Sequence, residues 1–174
     1  MYRYLGFGLI AATSTALSST MTNRLLINKI PNEYYLGRDI PGQLIGLGVS
    51  LLLAHRFKQN PLRLGLITAS LYPVGVSMDV IAGQVCEPIP YLTVGSILRS
   101  ISYVGPAGAH TAAIVQICKH NNSNIFGTRN MVMGSLGATF GIIAGIYFGV
   151  DNSSPIILSL VYPISLYLGW RRLI

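Results

Sequence analysis

Acidic residues are scarce. Asp and Glu number five in 174 residues, and charged side chains make up 10% of the chain, against roughly 25% in an average soluble domain. So few carboxylates, most of them in short polar gaps, leave little material for acid–base catalysis. Cysteine is nearly absent too. Cys86 and Cys118 belong to no CxxC pair and no Cys/His cluster, which argues against a disulfide framework and a metal site. No GxSxG, HExxH or Walker loop occurs. The sequence therefore predicts no catalytic residue, no metal ligand and no cofactor other than bound phospholipid.

What is present is apolar. Hydrophobic residues make up 51% of the chain, and the mean hydropathy is +0.54. That composition excludes a disordered or collagenous chain. The net charge of +7 comes from bases in short gaps between apolar runs. Nucleic-acid binding would instead want a clustered basic surface on a soluble fold. The class expected is an all-α, polytopic integral membrane helix bundle, one membrane domain over 1–174, with membrane lipids as its surroundings.

Six apolar stretches run near 4–22, 40–55, 62–83, 89–118, 131–150 and 155–170. A helix needs about 20 residues to cross about 30 Å of hydrocarbon. The third and fifth stretches meet that length; the second and sixth are short. The fourth is too long for one straight span and holds Gly105-Pro106-Ala107-Gly108, which signals a break or kink. The first is the weakest span. Seven Ser and Thr residues lie between Thr13 and Thr22, and in a helix these can bond back to their own carbonyls. Residues 1–29 also carry Arg3, Arg24 and Lys29 with no acid, a composition that a mitochondrial transit peptide shares.

Six crossings sort the charges. The side holding the N-terminus receives Arg3, Arg56, Lys58, Arg63, Lys119, Arg129, Arg171 and Arg172 and no acid. The other side receives Arg24, Lys29 and Arg38 with Glu33, Asp39, Glu87 and Asp151. By the positive-inside rule the basic side is cytosol, matrix or stroma, and both chain ends face it. Cys86 and Cys118 then lie a membrane apart and cannot bond each other. The triplets Asn121-Asn122-Ser123 and Asn152-Ser153-Ser154 fall in loops tight against the membrane, and neither is expected to be glycosylated.

Three features could carry function inside the lipid. Gly137, Gly141, Gly145 and Gly149 recur every four residues, with Gly134 just before. On a helix this stripe lets another backbone approach closely, within the bundle or in a separate subunit. Asp79 and Arg99 are charges inside apolar stretches, each costing roughly 2.5–3.5 kcal/mol at a helix centre. They suit an ion pair across a hairpin, or a polar site for an anionic ligand or a proton path. His110 follows the Gly105-Pro106 break and is either a packing residue or part of a polar site. His55 and His120 are expected at the membrane interface.

The order of several segments resembles a known family. Tyr35-Leu36-Gly37-Arg38-Asp39-Ile40-Pro41-Gly42-Gln43, then Phe57-Lys58-Gln59-Asn60-Pro61-Leu62-Arg63, then Asp79 come first. Leu98-Arg99-Ser100-Ile101, Gly105-Pro106-Ala107-Gly108-Ala109-His110-Thr111-Ala112-Ala113-Ile114, Asn124, Ser154-Pro155 and Tyr167-Leu168-Gly169-Trp170-Arg171-Arg172-Leu173-Ile174 follow. Together, over about residues 24–174, they resemble the root UVB-sensitive (RUS) membrane family in shortened form. The chain departs from that pattern at His110-Thr111, where relatives have a Thr-Arg pair. It departs again at Phe126-Gly127-Thr128-Arg129, which stands for a longer acidic linker. The resemblance implies a membrane domain and a link to vitamin B6 homeostasis, and it carries over no catalytic residue.

The function expected is a non-enzymatic accessory or structural subunit of a larger membrane complex, contacting other integral-membrane subunits and no nucleic acid. The compartment expected is the mitochondrial inner membrane, with both termini in the matrix; plastid and endoplasmic reticulum are the alternatives. The rival function is a small-solute, vitamin B6-like carrier or binding protein built on Asp79, Arg99 and His110.

Overall fold

The computed structural model describes residues 2–27, 29–31, 33–34, 39–56, 60–121 and 126–171. Every element among them is a helix: α1 (Tyr2–Ile27), α2 (Asp39–Arg56), α3 (Pro61–Ala69), α4 (Leu71–Ala82), α5 (Ile89–Asn121), α6 (Phe126–Tyr147) and α7 (Ser154–Trp170). The segments Tyr35–Arg38 and Phe57–Gln59, Asn124 and the end Arg172–Ile174 lie outside the described residues, as do Lys58 and the first glycosylation triplet beyond Asn121.

α3 and α4 form one apolar run over 61–82, interrupted by a turn at Ser70. Pro73 explains the turn: it has no N–H to give the carbonyl of Ala69, so the ladder lapses there and restarts. This run and 127–147 within α6 are the two among the described residues long and apolar enough to cross a membrane. α2 and α7 contain shorter apolar segments. α1 and α5 are long, but Ser and Thr dilute the first, and Arg99 and His110 interrupt the second.

In α1, Thr13, Ser14, Thr15, Ser18, Thr20 and Thr22 all donate to carbonyls one turn back, at 2.8–3.2 Å. The helix therefore presents few unsatisfied hydroxyls to its neighbours.

Of the break or kink signalled in the fourth stretch, the break is absent. α5 continues through Pro106 for 33 residues, about 50 Å at 1.5 Å per residue. Two contacts make this tolerable. Gly105 lies directly against Thr68 of α3, where a side chain would not fit. Pro106 orphans the carbonyl of Ser102, and the Tyr162 hydroxyl of α7 donates to that carbonyl at 3.3 Å.

Contacts fix the direction of each helix. Gly137, Gly141 and Gly145 of α6 pack on Leu9–Ala12, Thr13–Leu17 and Leu17–Thr20 of α1, so these two run parallel. Gly42 and Gly46 of α2 pack on Ser96 and Ser100 of α5, again parallel. Gly65 meets Ala109 and Gly75 meets Arg99, so α3–α4 run antiparallel to α5. Gly65 also meets Trp170, and Tyr72 meets Tyr162, which sets α7 antiparallel to α3–α4. The rods thus alternate, α1, α3–α4 and α6 one way and α2, α5 and α7 the other.

The bundle buries polar side chains beside its apolar core and exposes large apolar ones outside. Ser14, Ser18, Thr22, Thr68, Asp79, Ser96, Ser102, Asn130, Ser159 and Ser165 are buried. Leu44, Leu52, Met131, Phe140, Tyr147 and Ile157 are well exposed, with many other large apolar side chains around the perimeter. A core of Tyr4, Leu5, Leu62, Tyr72, Val76, Ile117, Leu166 and Trp170 joins α1, α3, α4, α5 and α7.

Candidate functional site

The hairpin of α4 and α5 holds the buried charges. The Nε of Arg99 and Oδ2 of Asp79 form a salt bridge at 3.1 Å. Two glycines make room for it. A Cβ on Gly95 would sit 2.6 Å from Asp79 Oδ1 and 3.0 Å from the Gly75 carbonyl. A Cβ on Gly75 would sit 2.8 Å from Arg99 Cγ. Gly75 and Asp79 are one turn apart on α4, as are Gly95 and Arg99 on α5. Each charged residue therefore lies over the other helix's glycine. The pair is asymmetric toward its surroundings: the Asp79 side chain is 1% exposed and that of Arg99 13%.

Arg99 lines a cavity of about 460 Å³ and Asp79 does not. Ser19 of α1, Gln43 of α2, and Ser96, Ser100 and Tyr103 of α5 supply the other polar groups there.

His110 stands apart, eleven residues further along α5, about 16 Å by helical rise. Its Nε2 lies 2.7 Å from the Asn130 amide nitrogen, which can only donate. Nδ1 then carries the proton and donates to the Tyr4 hydroxyl at 2.7 Å. The Trp170 indole also bonds that hydroxyl, and its ring centroid is 6.1 Å from that of His110. One network thus joins α1, α5, α6 and α7. A second cavity of about 380 Å³, bordered by Thr15, Tyr103, His110, Asn130 and Tyr162, lies beside it. Tyr103 borders both cavities.

A tyrosine cluster separates the two charged or ionisable sites. Tyr72, Tyr103 and Tyr162 have ring centroids 5.3–6.5 Å apart. Tyr72 donates to the Thr15 carbonyl at 3.0 Å and lies 2.9 Å from Ser18 Oγ.

The structure therefore brings Asp79 and Arg99 together and leaves His110 in a different network. Gly137, Gly141 and Gly145 lie against α1; Gly149 lies beyond the end of α6 with nothing within 4 Å of a Cβ, and so is no part of the stripe. Gly134 likewise meets nothing, and borders the second cavity. Cys86 is exposed before α5 and Cys118 sits near that helix's far end. No group of three metal-ligating side chains occurs among the described residues. The sequence reading gave Tyr4, Asn130 and Trp170 no role at a site. For Tyr4 and Trp170 a signal was available: a Tyr or Trp inside an apolar run needs a partner for its polar tip.

No family model matches the chain, and no curated protein or solved structure is detectably similar to it.

Proposed function

We propose that the protein is a six-crossing integral membrane subunit, a non-enzymatic helical scaffold within a larger membrane assembly. One observation carries this reading: large aliphatic and aromatic side chains cover the outside of the bundle, while hydroxyls, an ion pair and an amide are buried within it beside the apolar core. Water would penalise that outer surface, and hydrocarbon accepts it. Packing beside the two apolar runs supports further crossings by α1 and α5. α6 is clamped parallel to α1, and α3–α4 antiparallel to α5, through glycine contacts that admit no separation. A helix too polar to insert alone is thereby held in register with one that inserts.

The charges support an orientation. Arg3, Arg63, Lys119, Arg129 and Arg171 are exposed at one end of the bundle, and Arg24, Lys29, Glu33, Glu87 and Asp151 at the other. The basic end faces the matrix if the compartment is the mitochondrial inner membrane, which the basic, acid-free start favours. We propose further that the chain is a divergent relative of the RUS family, on the colinear segments from about residue 24 onward. The subunit reading rests on the short polar connections and on internal polar groups used up in joining helices.

Migration of the tagged chain on native gels after mild detergent extraction tests the assignment. A subunit migrates far above its 18.8 kDa mass; a species the size of a monomer or dimer overturns it. A second reading, a binder of a small solute, is favoured by the cavity that Arg99 and Gln43 border.

A further inference from the structure

We propose that the groove between α1 and α6 at the basic end of the bundle holds one anionic phospholipid, its phosphate on Arg129 and the upper part of an acyl chain between the two helices. The inference rests on the membrane placement proposed above. The groove begins where the glycine stripe stops. Followed back toward the start of α6, the four-residue series Gly145, Gly141, Gly137 continues as Met133 and then Arg129. At the glycines the two helices touch: a Cβ on Gly137 would sit 2.5 Å from the Leu9 carbonyl. Where side chains take over, a cavity of about 580 Å³ opens, bordered by Leu5, Gly6 and Leu9 of α1 and by Arg129, Val132 and Met133 of α6.

The lining is apolar along its length and charged at one end. Leu5, Leu9, Val132 and Met133 offer hydrocarbon and a thioether, and Gly6 leaves space, since a Cβ there would meet nothing within 4 Å. Arg129 is exposed in the first turn of α6, beside Thr128. It precedes Met133 by one turn, about 6 Å along the axis, so the charge borders the groove on the side of the membrane surface. An apolar slot in lipid can take an acyl chain or a partner helix, and the charge favours the chain. A helix closing over the slot would cover Arg129 and would have to bring its own carboxylate. Among the described acids of this protein, Asp79 pairs with Arg99, and Glu33, Glu87 and Asp151 stand at the opposite end. A phospholipid carries its phosphate at the depth where spanning helices end, and a guanidinium matches phosphate oxygens with paired N–H donors. Basic pockets between helices on the cytoplasmic or matrix side hold anionic headgroups in this way. Arg3, Arg63, Lys119 and Arg171 stand at the same end and add to the field there. A chain held by two helices and a charge occupies a saturable site, which a chain lying on an even helix surface does not.

The test is native mass spectrometry of the full chain in neutral detergent micelles, which reads lipid adducts and oligomeric state together. The probes are phosphatidylglycerol, phosphatidylcholine with the same acyl chains, and glycerol 3-phosphate, a headgroup without chains. We expect one saturable phosphatidylglycerol adduct, roughly fivefold tighter than phosphatidylcholine, and none with glycerol 3-phosphate. Arg129→Gln should erase the preference for phosphatidylglycerol. Arg63→Gln removes the same charge from α3 at the same end, away from the groove, and should keep the preference. Gly6→Trp and Val132→Trp occupy the groove from its two walls and should weaken both lipids about tenfold, with the melting midpoint of the lipid-free chain unchanged. Absence of a saturable lipid adduct overturns the proposal, as does binding that both tryptophan variants leave intact. A preference that Arg63→Gln removes as fully as Arg129→Gln overturns it as well. Glycerol 3-phosphate binding as tightly as the lipid would put a free solute in its place, and a dimer that Val132→Trp dissociates would put a second copy of this chain there. Release of the chain from membranes by alkaline carbonate would instead refute the membrane placement, and the micelle titration is independent of that result.

Discussion

A proline and a tyrosine from different helices form one unit. Pro106 withdraws the hydrogen bond that Ser102 would receive within α5, and Tyr162 of α7 supplies another. Tyr162→Phe keeps the ring and removes the donor, leaving a buried carbonyl unsatisfied, so it should cost about 1–3 kcal/mol. In a Pro106→Ala background α5 can close its own ladder, and the same change should cost little. Denaturant unfolding in mixed micelles measures both, and equal losses in the two backgrounds would dissolve the coupling. The buried charges act as a pair in the same way. Asp79→Asn leaves Arg99 without its counter-charge and should cost roughly 3–5 kcal/mol, whereas the double change Asp79→Leu with Arg99→Leu should cost far less. If the double change costs the sum of the singles, the salt bridge contributes nothing. The two charges stood out in the sequence because charge is rare there. Gly75 and Gly95 did not, since glycine is common in this chain, and only the register of the hairpin shows that each lies beneath the opposite charge.

At the level of helices, the glycines of α6 differ in what surrounds them. A side chain at Gly141 would meet the Thr13 carbonyl and Ala16 of α1, so Gly141→Val must push two backbones apart, at about 1–3 kcal/mol. Gly149→Val meets nothing and should stay within about 0.5 kcal/mol. Equal effects on thermal unfolding would mean the close α1–α6 approach is not what holds these helices. α7 has a different determinant at its start. The Ser154 hydroxyl, and after it the Ser154 N–H at 2.6 Å, hold the Asp151 carboxyl below its usual range. A depressed carboxyl stabilises the fold above its unfolded value, and that contribution is lost as pH falls through the folded one. The first turn of α7 should therefore lose protection, relative to intrinsic amide exchange, below about pH 4, and Asp151→Ala should show the lower protection already at pH 6. Protection factors that do not change with pH would remove Asp151 from the account. Hydrophobic runs made most helices legible: 62–83 was expected and 61–82 found, with Pro73 marking the turn inside it. The unbroken α5 was not legible, because the compensation for Pro106 comes from Tyr162, sixty residues away, and no local pattern shows such a partner.

For the whole molecule, the decisive property is that helix direction and charge agree. Contacts alone establish that the rods alternate, and the charges were sorted from sequence without those contacts. The two meet: Arg63, Lys119 and Arg129 stand at ends that the packing puts together, and Cys86, Glu87 and Asp151 at the opposite ends. The excess of Lys and Arg at one end, against Arg24 and Lys29 at the other, is the bias expected under the membrane placement proposed above. The arrangement predicts accessibility to a membrane-impermeant maleimide. In a Cys118→Ser background, the exposed native Cys86 reports one end of the bundle. Thr128→Cys, exposed in the first turn of α6 and one rod away in sequence, reports the other. In sealed vesicles of a single orientation only one of the two should be labelled, and inverting the vesicles should exchange them. Asn152→Cys, past α6, should follow Cys86. Labelling of Cys86 and Thr128→Cys from the same face would mean that α5 does not cross, and the packing of α5 along α3–α4 would then withdraw that run from the membrane as well.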